Sequence, residues 1–334
     1  MFPGHCFRLC IHYKAAFLKS KGDKMSKMTP KKALWYNRRA KMLGGYATMS
    51  PINSNKAADI YYRKSATALL EAFLNASIRE VKKHYATIYT ANAAWDEIQP
   101  RVIKSPAKVA SAFRSIRGRQ MEIFTDKAEQ IAIRYVGKVG KMAKKNVQSV
   151  LERFFGLKLA IRYNSERYDE MLKIIVRRNV ELLRNTASQV IDNVQSIVTD
   201  AMTTGRGWAD IEHALHDQHE IAENRIKRIA RDQTAKATEA VNVMMQRAAG
   251  AEYFEWSTSK DERVSTGYGG HKQLDGKIYR YDEPERYPII DSYGNRGLPA
   301  QRVNCRCTAL SVFIADGYRA QWSPSDECYK IMKE

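Results

Sequence analysis

Apolar residues recur every three or four positions through most of the first 250 residues of this chain, a period that predicts helices. Leu70, Leu74, Ile78, Val81, Tyr85 and Ile88 make one such stripe. Pro100 and Pro106 bracket a break after it. Shorter basic helices are expected over 107–135 and 140–155, with Gly137, Gly140 and Gly156 as punctuation. The clearest helix is predicted over 165–203. Ser165 stands where a cap is wanted, and Glu166, Asp169 and Glu170 suit the positive end of the helix dipole. Val176, Val180, Leu183, Ala187, Val190, Val194 and Val198 hold one face, and Gly205 sits where a left-handed residue would end the helix. "GRGWADIEHALHDQH" then predicts a short helix with Trp208, Ile211 and Leu215 inward. A further helix over 221–249 carries Ile226, Ile229, Gln233, Ala237, Val241, Met244 and Ala248 on one stripe, closed by Gly250.

After Gly250 the period changes. "EYFEWSTS", "KIYRYDE" and "CTALSVFI" are rich in aromatic and β-branched residues and are separated by Gly, Pro, Asp and Asn. They predict three or four short strands in a small, loop-rich module. The expected fold class is mainly α, with long helices in residues 55–250 and a small C-terminal α+β module after 250. The expected division is a basic tail over 1–30, a basic helical region over 31–160, a second helical part over 161–250, the α+β module over 251–318 and a tail over 319–334. Met25 or Met28 is the expected natural start, which would leave Cys6, Cys10, His5 and His12 outside the functional chain. The rival reading of those four residues is a small metal-binding arm.

Charge sharpens this division. Residues 1–160 carry 31 Lys and Arg against 10 Asp and Glu, a balance of +21, whereas residues 161–334 carry 25 against 26, a balance of −1. The excess is either a solvated surface or a surface for a polyanion, and DNA is the expected polyanion for residues 1–160. No apolar run approaches ~18 residues, so no membrane span or membrane partner is expected. The N-terminal stretch is interrupted by Arg8, His12 and Lys14 and does not read as a signal peptide. A reducing compartment is the default that follows.

Candidate chemistry is sparse. No phosphate-binding glycine loop, Gly-x-Ser-x-Gly elbow or HExxH is present. His213, His216 and His219 step by three, which drifts them around a helix by ~60° per step, so a solvated face is expected there rather than a metal site. The C-terminal module offers more. Cys305 and Cys307 are one residue apart and cannot close a relaxed disulfide with each other. Flanking Arg306, they could donate to one metal, with His271 as third ligand and Asp275 or Asp261 as a fourth; zinc suits such a mixed set. The rival reading is a strand with one cysteine buried and the other idle.

The spaced motifs of this half resemble a known family. Ala230, Arg231, Asp232 and Gln233 with Asn242 lie on a helix. Trp256, Thr258, Asp261 and Arg263 follow on and after a strand, then His271 before Leu274, Asp275 and Gly276, then Asn304, Cys305, Arg306 and Cys307. Together these resemble the phage head morphogenesis family, the Mu F-like minor head proteins, over roughly 165–315. The resemblance implies a minor capsid protein made in the host cytoplasm and carried in the virion head. It would act in head morphogenesis at or near the portal vertex, with the portal protein and other head proteins as partners. It implies no enzyme, and Arg231, Asp232, Gln233, Asn242, Trp256, Thr258, Asp261, Arg263, Gly276, Asn304 and Arg306 are expected to be structural: Arg231, Asp232 and Asn242 as caps and tethers for the turns of the module, and Asp261 and Arg263 as a pair across the strand end. The alternative is a metal-dependent hydrolase or nuclease built on His271, Asp275, Cys305 and Cys307.

Overall fold

Five α-helices fill the first part of the fold among the described residues. They are α1 (Lys56–Ala86), α2 (Pro106–Ser115), α3 (Met121–Phe155), α4 (Ser165–Thr204) and α5 (Trp208–Ala248), with a π-helical turn at Ile116–Gln120 joining α2 to α3. Strand β1 (Tyr46–Thr48) precedes them, and β2 (Tyr253–Ser257), β3 (Ile278–Arg280), β4 (Thr308–Ile314), β5 (Tyr318–Ser323) and β6 (Cys328–Lys333) follow. The structure, a computed structural model, describes residues 44–52, 54–86, 106–155, 161, 163–204 and 206–334. The N-terminal tail with Cys6, Cys10, His5 and His12, the alternative starts Met25 and Met28, and Ile88, Pro100, Gly156 and Gly205 lie outside the described residues.

The mainly α class with a small strand-rich module after residue 250 is what the chain adopts. One apolar cluster takes side chains from all five helices, among them Tyr62, Leu74, Phe113, Phe124, Tyr135, Leu183, Ile191, Ile211 and Ile226. A second cluster joins the far ends of α3 (Val147, Leu151, Phe154) and α5 (Val241, Met245) to Phe254, Trp256, Tyr279 and Phe313 of the sheet. Helices α3 and α5 therefore run from the bundle onto one face of the sheet. The strand order is β1-β4-β2-β3-β6-β5, with every pair antiparallel.

Four expectations are corrected. Helix α3 runs unbroken through Gly137 and Gly140, because the buried stripe Ala132, Tyr135, Val136, Val139, Ala143 and Val147 continues across them. Burial outweighs the ~1 kcal/mol that a glycine costs a helix. Gly140 is a point of close approach instead: a Cβ there would lie 2.6 Å from the hydroxyl of Tyr168 on α4. Helix α5 is likewise one helix, not two, since Ile211, Leu215, Ala222 and Ile226 stay on one buried face and no Gly or Pro interrupts it. The cap of α4 is Asn164, whose Oδ1 accepts the Arg167 N–H at 3.0 Å, rather than Ser165. Finally, residues 319–334 are no tail. They form most of the β5–β6 hairpin, which adds two strands and covers Ile278 and Tyr329 on the outer face with Trp322, Ala320 and Ile331.

Candidate metal centre and the joint between helix and sheet

Helix α5 carries a row of buried polar residues at spacings of seven, three and four: Asp232, Glu239, Asn242 and Gln246. That spacing keeps them on one face. The row lies along the segment from Asn304 to Ala309 and hydrogen-bonds its backbone. The Asn304 N–H donates to Asp232 Oδ1 at 2.6 Å and the Ala309 N–H to Glu239 Oε1 at 2.7 Å. The Ala309 carbonyl accepts from Gln246 Nε2 at 3.1 Å and from Asn242 Nδ2 at 3.4 Å. Asn304 has φ +59°, in the left-handed region that Asn tolerates better than most residues. Helix α5 thus fixes the turn that carries both cysteines.

The remaining motif residues surround this turn. Asp261 takes a bidentate pair from Arg306, Nη1 to Oδ2 and Nη2 to Oδ1, the latter at 2.6 Å, and also lies 3.5 Å from Arg263. The hydrogen bond and charge of Arg306 hold its carboxyl well below the usual carboxylate range. Asp275 Oδ1 accepts both the N–H and the hydroxyl of Thr258, at 2.8 and 2.9 Å. Gly276, with φ +77°, returns its N–H to the Trp256 carbonyl at 2.8 Å. Trp256 is fully buried, as is Leu274, whereas Arg231 is exposed. Gln233 donates to Asp232 Oδ2 at 3.0 Å, and Lys236 pairs with the same oxygen at 2.7 Å.

Among the described residues, His271, Cys305 and Cys307 bring their ligand atoms within 4.8 Å of one another, all three buried. His271 Nδ1 is 3.3 Å from Cys305 Sγ and 3.5 Å from Cys307 Sγ. Residues i and i+2 of an extended segment share a face. Both thiols therefore turn to the histidine while Arg306 turns out to Asp261, and neither cysteine is idle. Asp275 and Asp261, expected as fourth ligands, are outside this trio, held by Thr258 and Arg306. Cys305's thiol is pushed down, chiefly by the hydrogen bond from Cys307 and then by His271. Burial pulls the His271 imidazole down, but Cys305 beside it outweighs that and leaves it raised.

Glu239, Gln246 and Tyr281 were not singled out in the sequence, yet they complete the joint. The Tyr281 hydroxyl donates to Gln246 Oε1 at 2.7 Å, Gln246 Nε2 to Asn242 Oδ1 at 2.5 Å, and Asn242 Nδ2 to Glu239 Oε2 at 3.1 Å. Burial pushes the Glu239 carboxyl up to about 8 despite the hydrogen bonds from Ala309 and Asn242. The 7-3-4 spacing was the available signal. It was masked because α5 is buried on several faces near its end, so its apolar stripe is no guide to which polar residues turn inward.

Asp232→Ala is expected to cost about 1–3 kcal/mol, because the Asn304 N–H loses its acceptor inside the joint. Thermal denaturation followed by circular dichroism would show a lower midpoint, with Arg231→Ala close to wild type. Equal midpoints for Asp232→Ala and wild type would remove Asp232 as a tether.

Residues 192–310 match the family described as Phage Mu protein F like protein. The match spans the last third of α4, all of α5 and the module through the cysteine turn. A Haemophilus influenzae protein described as uncharacterized is 26% identical over 264 residues, covering 78% of this chain and 55% of that protein. Minor head protein GP7 of Bacillus phage SPP1 is 24% identical over 158 residues, covering 43% of this chain and 45% of that protein. The chain thus spans about half the length of these curated relatives. No solved structure matches the chain. The resemblance read from the spaced motifs is therefore matched in the region where α5 meets the module. No helix among the described residues is long and apolar enough to cross a membrane.

Proposed function

We propose that this chain is a phage minor head protein, made in the host cytoplasm and built into the virion head at or near the portal vertex during head morphogenesis. The observation that carries this reading is the Phage Mu protein F match over residues 192–310, supported by the similarity to a minor head protein. Its partners on this reading are the portal protein and other head proteins. No reaction is assigned to the chain: His271, Cys305 and Cys307 are buried, out of reach of a nucleic-acid or peptide substrate, which favours a structural duty.

Contact with packaged DNA is part of the proposal. On α3, Lys127, Arg134, Lys138, Lys141 and Lys145 are all exposed. At 100° per residue they fall within about 60° of one another and run for ~27 Å along the helix. No Asp or Glu occurs between Gln130 and Leu151. Such a stripe suits a phosphate backbone. If the five cations each neutralise a phosphate, binding to a duplex should fall about 500-fold between about 50 and about 200 mM salt. Affinity that barely moves with salt would sink the DNA contact. The head reading itself is tested by quantitative mass spectrometry of purified heads from induced cells. A few copies per particle, sedimenting with the portal, are expected. Absence from heads, with the protein left in the soluble lysate, would overturn it.

A further inference from the structure

We propose that His271, Cys305 and Cys307 bind one zinc ion that ties together the loops of the C-terminal module. The inference goes beyond the head-protein reading and uses none of its premises.

Three features of the trio fit a metal site. The first is spacing. Zinc binds sulfur at roughly 2.3 Å and imidazole nitrogen at roughly 2.0–2.1 Å, so the N···S edge of a tetrahedral site is ~3.5 Å. The two N···S distances here are 3.3 and 3.5 Å. The second is the far side of the imidazole. His271 Nε2 lies 3.0 Å from the Ile290 carbonyl. A carbonyl only accepts, so Nε2 carries the proton, and Nδ1 is the nitrogen that faces both sulfurs and would ligate a metal. A metal-bound histidine is oriented by the same kind of contact. The third is charge. Two thiolates and a neutral imidazole around a divalent ion make a neutral unit, which removes the cost of burying a lone thiolate.

The supporting shell is built for this arrangement. A Cβ on Gly269 (φ +65°) would lie 2.2 Å from the Asp291 carbonyl oxygen, so only glycine lets loop 258–277 close on loop 288–297. That closure brings His271 to Ile290. The Ser265 hydroxyl accepts the His271 backbone N–H at 3.1 Å and also lies 3.3 Å from Arg302 Nη1. The Cys307 N–H points at Cys305 Sγ from 3.4 Å, as backbone amides do toward a metal thiolate. Trp256 stands edge-on to the His271 ring at 5.2 Å between centroids and closes the inner side. Zinc would therefore join two loops, 258–277 and 301–307, that carry little regular structure of their own. Small modules gain stability from such a staple.

The test uses the whole chain, expressed with zinc in the medium and purified without chelator. Elemental analysis with native mass spectrometry should find one zinc per chain in wild type and in Cys328→Ser, and close to none in Cys307→Ser. Because Cys307→Ser could fail to fold, wild type is also stripped with chelator and titrated with cobalt(II). Thiolate-to-cobalt charge-transfer bands saturating at one equivalent are expected, with visible bands of tetrahedral intensity. In zinc-loaded wild type, iodoacetamide should spare Cys305 and Cys307 until chelator is added. A folded wild-type protein that holds no metal, gives no cobalt–thiolate bands and alkylates equally with and without chelator would overturn the site.

Discussion

Trp256→Ala should be the most damaging single truncation in the module, costing about 3–5 kcal/mol. Trp256 is fully buried in β2, a strand flanked by β3 and β4. Its main chain is held twice by the turn that leads into β3: its N–H donates to the Lys277 carbonyl and its carbonyl accepts from Gly276, each at 2.8 Å. The indole fills the space between the sheet and the His271 ring. Removing it opens a cavity where loop 258–277 folds over the sheet, and the bonds that hold the backbone of β2 keep the strand from collapsing into it. For a protein whose net stability is about 5–15 kcal/mol, that loss is a large share. Urea denaturation should show a midpoint well below wild type. Trp322→Ala is the control, because Trp322 is only partly buried on the outer face over Tyr329. Similar losses for the two variants would mean that Trp256 does not anchor the module.

The long helices were legible because a one-sided apolar stripe is a strong signal, and α4 ends within a residue of its expected bounds. The errors share a cause. Gly137 and Gly140 look like stops in one dimension, but only the packed bundle reveals that α4 needs close approach at Gly140. The β5–β6 strands are faint in the sequence: "YRAQW" alternates aromatic or apolar with polar residues for only five positions, and "CYKIM" has one polar residue and no alternation. In the site, residue type was enough to suggest His271, Cys305 and Cys307. It could not choose among carboxylates. Asp261, Asp275 and Glu239 look alike in sequence; the fold gives the first to Arg306, the second to Thr258 and the third to the backbone of β4.

Glu239→Gln should change how stability depends on pH more than any other conservative substitution. Two effects compete at this carboxyl. The chain of donors from Tyr281 through Gln246 and Asn242 ends on Glu239 and favours its charged form, as does the Ala309 N–H. Complete burial favours the neutral form, and burial wins, raising the group from 4.5 to about 8. Between those values the unfolded chain has released a proton that the folded chain still holds. The stabilisation is therefore fully present below the unfolded value and is lost as pH rises through about 8. At 1.36 kcal/mol per unit, the difference approaches about 4–5 kcal/mol. Glutamine stays neutral and its carbonyl still accepts the Ala309 N–H, so the variant should lack this slope. Measured by urea denaturation from pH 5 to about 9, wild type minus variant should decline steadily with rising pH and level off above about 8. Taking the difference cancels the titrations that both proteins share and that do not depend on Glu239. Parallel curves would show that the Glu239 carboxylate is ionised across the whole range and that the donor chain, not burial, sets its state.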